Sequence, residues 1–492
     1  MTTAGTDTHA MSKPVAGRRL AGQGILLFSG FGAAQGLSFA RNAVIGHALS
    51  KGDFGIAATI TLILQIIETL SDLGSDRLIV QAPDGAEPRF IRAAHSLLAA
   101  RGIVLAILLY IAGPAIAGLF GAPHAAAAFQ LAALVPLIKG FMHLDFRLAQ
   151  RHFDNRPQML VEVVPQAAAL LLTFPVLALT RDFSAVVSLS IAQALASVLL
   201  SHVLASTPYR FAADRGLLKR QLAFGWPILA SALPLIAVYQ GDRLIIGSLS
   251  GMEALANYTA AFMITMVPGL IAAKVGHAMM LPLFSDAIRR GRPLRADFKI
   301  ASEATVILAA LYLTGFIVCG EALLPVVFGA HYTGLGSLTA WLAAMWSLRM
   351  IQTAPGMALM SSGSTKPFVI AGCIRALAIP LVFYAATHHA ALSTLAAIGF
   401  VFEALSLGYV AWRVERLERG LGRLLAVRAC YLGPAGLVAC LTASAMPATL
   451  LAGILPAAAV LLAVAGSGIA LMPSLNSLTR RVLHRRSLIA TA

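Results

Sequence analysis

The chain has 492 residues, of which 58% are hydrophobic and only 12% charged, with a mean hydropathy of +0.81. A soluble protein of this size carries about 25% charged residues, so a water-soluble globular fold is excluded. The net charge of +16 and the pI near 10.3 do not signal nucleic acid, because the basic residues are scattered through many separate segments and do not form one face.

Taken in chain order, fourteen long apolar stretches lie at about 24–46, 56–80, 96–120, 125–147, 158–180, 184–206, 221–249, 255–284, 301–328, 336–360, 367–387, 391–412, 428–447 and 450–472. Each holds the roughly 20 apolar residues a helix needs to cross about 30 Å of hydrocarbon. Runs of this length exclude barrel strands, and only helices or closed barrels satisfy their backbone polar groups in lipid. The fold class is therefore an all-α integral membrane protein with about 14 transmembrane helices.

Threading the chain with its N-terminus in the cytoplasm places 27 of the 37 Lys and Arg residues inside, with the edge residues Arg147 and Arg428 counted in the loops, only Lys51 and Arg181 outside, and eight within spans. This is the positive-inside bias, and it predicts cytoplasmic N- and C-termini. No cleavable signal pattern precedes the first run. The composition suits a bacterial inner membrane. The four cysteines all fall in predicted spans without a C-x-x-C pair, and His388-His389 lacks ligand spacing, so no metal or cofactor is expected.

An internal repeat divides the chain. Arg41-Asn-Ala-Val-Ile-Gly46, then Leu49-Ser50 and Phe54-Gly55, leaves the first span. Arg243-Leu-Ile-Ile-Gly247, then Leu249-Ser250-Gly251 and Tyr258, leaves the seventh. Such repeats mark transporters that rock one bundle against another around a central site. The expected organisation is a cytoplasmic tail at 1–22, six-helix bundles at 23–210 and 211–415 related by a pseudo-two-fold, an extra hairpin at 416–472, and a basic tail at 473–492. The tail segment Arg480-Arg481-Val-Leu-His484-Arg485-Arg486 is expected to lie on the anionic inner leaflet. The outer loops, such as 248–254, 329–335 and 387–390, are too short to hold catalytic groups. A membrane enzyme is therefore not expected, and no catalytic residue is assigned.

The same residues resemble the polysaccharide and O-antigen flippases of the multidrug/oligosaccharidyl-lipid/polysaccharide exporter superfamily. The resemblance rests on Leu49-Ser50-Lys51-Gly52-Asp53-Phe54-Gly55 with Leu70-Ser71-Asp72-Leu73-Gly74. It rests also on Phe224-Gly225-Trp226-Pro227 with Asp242-Arg243-Leu244-Ile245-Ile246-Gly247 and Tyr258, and on Pro282-Leu283-Phe284-Ser285. It covers about residues 20–415. It implies alternating-access movement of an undecaprenyl-diphosphate-linked oligosaccharide across the inner membrane, for O-antigen, exopolysaccharide or capsule. Its implied partners are that lipid-linked cargo, membrane lipids, and a polysaccharide polymerase and biosynthetic complex. Fourteen spans instead of twelve resemble the lipid II flippases. A cation-coupled multidrug or small-molecule exporter of the same superfamily is the other alternative.

Flipping breaks no bond; the obstacle is an anionic, sugar-bearing head that cannot cross hydrocarbon. A charge at mid-bilayer costs about 2.5–3.5 kcal/mol on insertion scales, so each intramembrane cation needs a reason. Arg77 and Arg101 lie near the inner boundary and can snorkel, and Lys139 lies two turns in. Lys274, Arg349 and Arg375 lie deep, and Arg41 and Arg243 occupy matching places in the two halves. In the family the helices equivalent to spans 1, 2, 7 and 8 line the cleft. Arg41 and Lys274 are accordingly the foremost candidates for gripping diphosphate, with Arg243, Arg349 and Arg375 as further substrate-binding residues. Glu68, Asp72 and Glu403 are candidates for coupling or gating, although charge-balancing of nearby arginines is the preferred reading of the buried acids.

Overall fold

The computed structural model describes residues 13–151, 154–445, 450–474 and 476–477. The 480–486 tail and residues 1–12 lie outside them. Among the described residues every regular element is helical. In chain order these are α1 (Lys13–Ala48), α2 (Lys51–Leu70), α3 (Ser75–Gln81), α4 (Pro88–Leu119), α5 (Ala126–Ala132), α6 (Leu134–Lys139), α7 (Asp145–Arg151), α8 (Arg156–Leu179), α9 (Ser184–Val203) and α10 (Arg215–Leu249). They continue with α11 (Met252–Arg289), α12 (Arg295–Phe328), α13 (Gly336–Ser361), α14 (Lys366–Ala376), α15 (Ala378–Thr387), α16 (Leu392–Leu417), α17 (Leu421–Ala429), α18 (Leu432–Ala445) and α19 (Leu450–Leu471). Ten of the described segments are long and apolar enough to cross a membrane. The chain is a multi-pass membrane protein.

Four of the apolar stretches are interrupted helices, for two distinct reasons. The stretch 56–80 ends as α2 at Leu70. Asp72 Oδ1 accepts the Gly74 N–H at 2.9 Å, and Gly74 takes φ 61°, a left-handed turn that glycine adopts without penalty. The stretches 125–147, 367–387 and 428–447 break next to a proline. Pro136, Pro380 and Pro434 each lack the N–H that would bond the carbonyl four residues back, at Ala132, Ala376 and Cys430, and each ring crowds that carbonyl. Those residues end α5, end α14 and cap α17. Pro268, Pro282 and Pro355, by contrast, lie inside unbroken helices.

The chain forms two compact units. One comprises the chain up to Arg41, Ile67–Ile116 and Ala125–Ala230; the other comprises Asn42–Ile66, Ala117–His124 and the chain from Ser231 on. In the first, α8 pairs with α9, which also packs on α5 and α6, while α3 packs on α7.

The segment after α9 is strapped down in this unit. Asp145 accepts the Ser206 N–H at 2.6 Å, the Ser206 hydroxyl at 2.8 Å, the Thr207 N–H at 3.2 Å and the Thr207 hydroxyl at 3.0 Å. Burial works against this carboxylate, but the Ser206 and Thr207 bonds outweigh it and hold its pKa below the usual range. Buried His95 and His143 flank the strap. The Tyr209 ring lies 4.4 Å from that of His95, and burial pushes its hydroxyl up to about 12.

In the second unit α13 lies at the centre, packed by α11, α12 and α16. Phe284, Phe298, Ile351, Ala354 and Val414 form part of its core. The α18–α19 pair packs on α12 through Ala310, Ala435 and Val464, and the Tyr431 hydroxyl donates to the Val464 carbonyl at 2.6 Å.

The Leu49–Gly55 motif has a structural basis in this unit. Ser50 caps α2 by accepting the Asp53 N–H at 3.1 Å and donating its hydroxyl to Asp53 at 2.6 Å, a capping arrangement that satisfies an otherwise orphaned helix donor. Phe54 is 2% exposed. A Cβ on Gly55 would stand 2.1 Å from the Met252 carbonyl oxygen, so only glycine permits this approach of α2 to the start of α11.

Candidate functional site

The deep charged residues fall into three contacts in the first unit and one connected cluster in the second. In the first unit Arg41, on α1, donates from Nη1 to the amide oxygen of Gln193 on α9. No carboxylate lies within ion-pair distance of Arg41 among the described residues. Glu68, near the end of α2, accepts from Lys139 Nζ at 2.8 Å. Arg101 approaches the same helix end, with Nε on the Ser71 hydroxyl at 3.0 Å and Nη2 on the Glu68 carbonyl at 3.1 Å. A cation there satisfies terminal carbonyls and suits the negative end of the helix dipole. Asp72 is engaged by the Gly74 turn and by Arg77 at 3.1 Å. Its geometry is that of a turn-forming residue between α2 and α3.

In the second unit, Glu403 on α16 is 1% exposed and accepts from two arginines. Arg349 Nε, on α13, and Arg375 Nε, on α14, each lie 2.8 Å from one of its carboxylate oxygens. Arg375 also donates to Gln352 Oε1, and Gln352 Nε2 donates to the Ser406 hydroxyl at 3.3 Å. The Arg349 guanidinium sits over the rings of Tyr239 and Trp346, at 5.0 and 4.7 Å from their centroids. That accounts for its buried Nη1, which has no hydrogen-bond acceptor, because a ring face attracts a desolvated cation.

Tyr239 links this group to Arg243. Arg243 Nη2 donates to the Tyr239 carbonyl at 3.0 Å and to Gln240 Oε1, and its guanidinium lies 4.8 Å from the Phe262 ring centroid. Neighbouring Asp242 is held by the Tyr258 hydroxyl of α11 and bonds the Arg243 N–H at 2.8 Å. Lys274 lies on an exposed face of α11, one turn from His277.

The structure thus brings Arg243, Arg349, Arg375 and Glu403 into one network and keeps Arg41, Glu68 and Asp72 in separate contacts. Arg349 and Arg375 share one carboxylate inside the protein, so half of their charge is compensated there. Glu403 is held between two guanidinium groups, each 2.8 Å from one of its carboxylate oxygens. Glu68 likewise has a cationic partner, Lys139. The residues that sequence reading missed are Gln193, Gln240 and Gln352. A signal was present: each is an uncharged hydrogen-bonding side chain inside a long apolar run, where an unsatisfied amide is costly.

The described helices, with a charged and hydrogen-bonded interior, define a membrane protein of the transporter fold seen in the multidrug/oligosaccharidyl-lipid/polysaccharide exporter superfamily. The likeness extends to the lipid II flippase MurJ in an inward closed conformation, at TM-score 0.67 and 12% identity over 90% of this chain and 99% of that one. It extends to an inward-facing multidrug resistance transporter of the MATE family, at TM-score 0.62 and 14% identity over 78% and 96%. Residues 45–336 match the sequence model of the polysaccharide biosynthesis protein family, and the chain belongs to that family. Among curated relatives it is 23% identical over 296 residues to the teichuronic acid biosynthesis protein TuaB of Bacillus subtilis (strain 168), covering 59% of this chain and 61% of that protein. It is 21% identical over 306 residues to the succinoglycan biosynthesis transport protein ExoT of Rhizobium meliloti (strain 1021), covering 60% of each. The matches therefore span about three fifths of those relatives' lengths.

Proposed function

We propose that the chain is a flippase that moves an undecaprenyl-diphosphate-linked oligosaccharide across the bacterial inner membrane by alternating access, for surface polysaccharide synthesis, and that it catalyses no bond-breaking step. Family membership supports a role in polysaccharide biosynthesis. The observation that carries the anionic cargo is Arg41: a half-buried guanidinium on a long apolar helix, paired, among the described residues, with a neutral amide and not with a carboxylate. Such a charge calls for an anion from outside the chain. An exporter of organic cations would need the opposite polarity.

The test is reconstitution. Liposomes carrying a fluorescent undecaprenyl-diphosphate oligosaccharide are expected to lose fluorescence to an external quencher faster and more completely when they contain the chain. An unchanged quenchable fraction would remove the proposal. Lipid II presents the same diphosphate, and the long match to MurJ makes it the second reading. A labelled lipid II flipped faster than the oligosaccharide lipid would favour it.

The topology belongs to the same proposal. Beyond the ten crossing segments, α1, the α5–α6 pair, α13 and α19 complete a set of fourteen spans, grouped as bundles at 23–210 and 211–415 with a hairpin at 416–472. Helices surround α13, so it can carry Arg349 and Gln352 without presenting them to lipid. With both termini cytoplasmic, reporter fusions at Ser250 and Ala390 are expected to read as periplasmic and one at Arg290 as cytoplasmic. Any swapped reading would overturn this orientation.

A further inference from the structure

We propose that Gln193 is a positioning residue: it aims Arg41 at the phosphate-bearing head of the cargo while leaving the arginine's charge uncancelled, and its own neutrality is what the site requires. The proposal rests on the reading that Arg41 grips an anionic cargo.

The contrast between partners in this chain carries it. Lys139 is paired with Glu68 at 2.8 Å, and Arg349 and Arg375 share Glu403 at 2.8 Å each. Arg41 instead donates to an amide oxygen supplied from α9, 152 residues away. A carboxylate facing an arginine takes two N–H groups in a fork and neutralises the pair. An arriving phosphate would then have to displace it. An amide oxygen accepts a hydrogen bond, fixes the direction of the guanidinium, and leaves a full positive charge with most of its five N–H donors still to be used. A carboxamide at this place therefore orients Arg41 and does not compete with an anion for it.

The second unit repeats the chemistry by a different route. Arg243, the counterpart of Arg41 in the internal repeat, donates to Gln240 Oε1. Gln240 belongs to the same helix, three residues earlier, whereas Gln193 comes from another helix. Gln240 Nε2 donates to Gln65 Oε1 at 3.2 Å, which commits the amide nitrogen elsewhere and keeps the oxygen facing Arg243. Two arginines at matching positions thus meet glutamines of unrelated origin, which points to a requirement on the partner's charge and not to inheritance of one contact. Gln193 is the cleaner case, because Asp242 adjoins Arg243.

The proposal makes Gln193→Glu the most informative change. Glutamate has the same length and an oxygen in the same place, and it would form an ion pair with Arg41. A purely structural role predicts that this variant is at least as stable as the parent and binds normally, with Gln193→Leu the most damaged. The positioning role predicts the reverse order for binding: Gln193→Glu loses affinity by about tenfold or more, the scale of a hydrogen bond to a charged group, although its thermal stability equals or exceeds the parent's. Gln193→Leu keeps the charge, loses the aim, and falls between the two.

The experiment measures binding of undecaprenyl diphosphate and, separately, of phosphatidylglycerol to the full chain in nanodiscs, for the parent, Gln193→Glu, Gln193→Leu and Arg41→Ala, with melting temperatures in parallel. Selective loss of undecaprenyl diphosphate in Gln193→Glu supports the proposal and assigns the carrier diphosphate. Equal loss of both lipids supports the positioning role with a membrane phospholipid head as the occupant. If Arg41→Ala is defective but Gln193→Glu binds like the parent, the role of Gln193 is overturned while the reading of Arg41 stands. If Arg41→Ala itself binds like the parent, that reading falls. Should Gln193→Glu fail to fold, Gln193→Leu decides: parental affinity in that variant overturns the proposal.

Discussion

A chain carrying Arg41→Ala is expected to reach the membrane in normal amount and to restore no surface polysaccharide to a strain that lacks the protein. Arg41 makes no ion pair among the described residues, so removing it leaves no carboxylate stranded; only the contact with Gln193 is lost inside the protein. On the proposed function, what is lost outside is a forked, charge-assisted grip on phosphate. Truncating one partner of a buried charged contact weakens binding by about 2–5 kcal/mol, which is enough to stop flux. Lys274→Ala is expected to act in the same direction, more weakly, because an ammonium is a point charge without a planar fork. Arg41→Lys should fall between parent and alanine for that same reason. Membrane-fraction blots and polysaccharide staining check all three. Full export by the Arg41→Ala, Lys274→Ala double variant would refute a cationic cargo site built on these residues.

The second large effect is on stability. Glu403→Ala removes the carboxylate from between Arg349 and Arg375 and leaves two guanidinium groups without a counter-ion in the interior of their unit. Removing one member of a buried ion pair typically costs about 3–5 kcal/mol. The variant is expected to melt well below the parent and to accumulate poorly. Replacing all three residues by methionine is expected to recover most of that loss, because a well-packed apolar set is often as stable as a buried ion cluster. Melting temperatures of the single and triple variants in detergent provide the check. If Glu403→Ala instead melts like the parent and only uncouples transport from an ion gradient, Glu403 carries protons or cations and the structural account fails.

The apolar stretches were legible because lipid demands a long uncharged run, and the observed helices track them closely from Arg156–Leu179 to Leu392–Leu417. What was not legible was where a run is interrupted. Hydropathy does not register that Pro136, Pro380 and Pro434 each lack the N–H that would bond the carbonyl four residues back. The Asp72–Gly74 turn was visible as a motif but not as the end of α2.

In the site, the positions of Arg41, Arg243, Arg349 and Arg375 could be read as unusual charges in apolar surroundings. Their partners could not, because these come from distant parts of the chain: Glu403 is 54 residues from Arg349, and Gln193 is 152 from Arg41. A charge in a span announces itself. A neutral amide that serves it looks like any polar interruption until the helices are assembled.

The interrupted helices bear on how such a protein changes shape. At Ala132, Ala376 and Cys430 the helical ladder already lacks its i+4 bond, so swivelling there severs fewer contacts than bending the proline-free α9 or α16 would. Any large rearrangement of the bundle should therefore favour angular change at these joints over bending of proline-free rods such as α9 and α16.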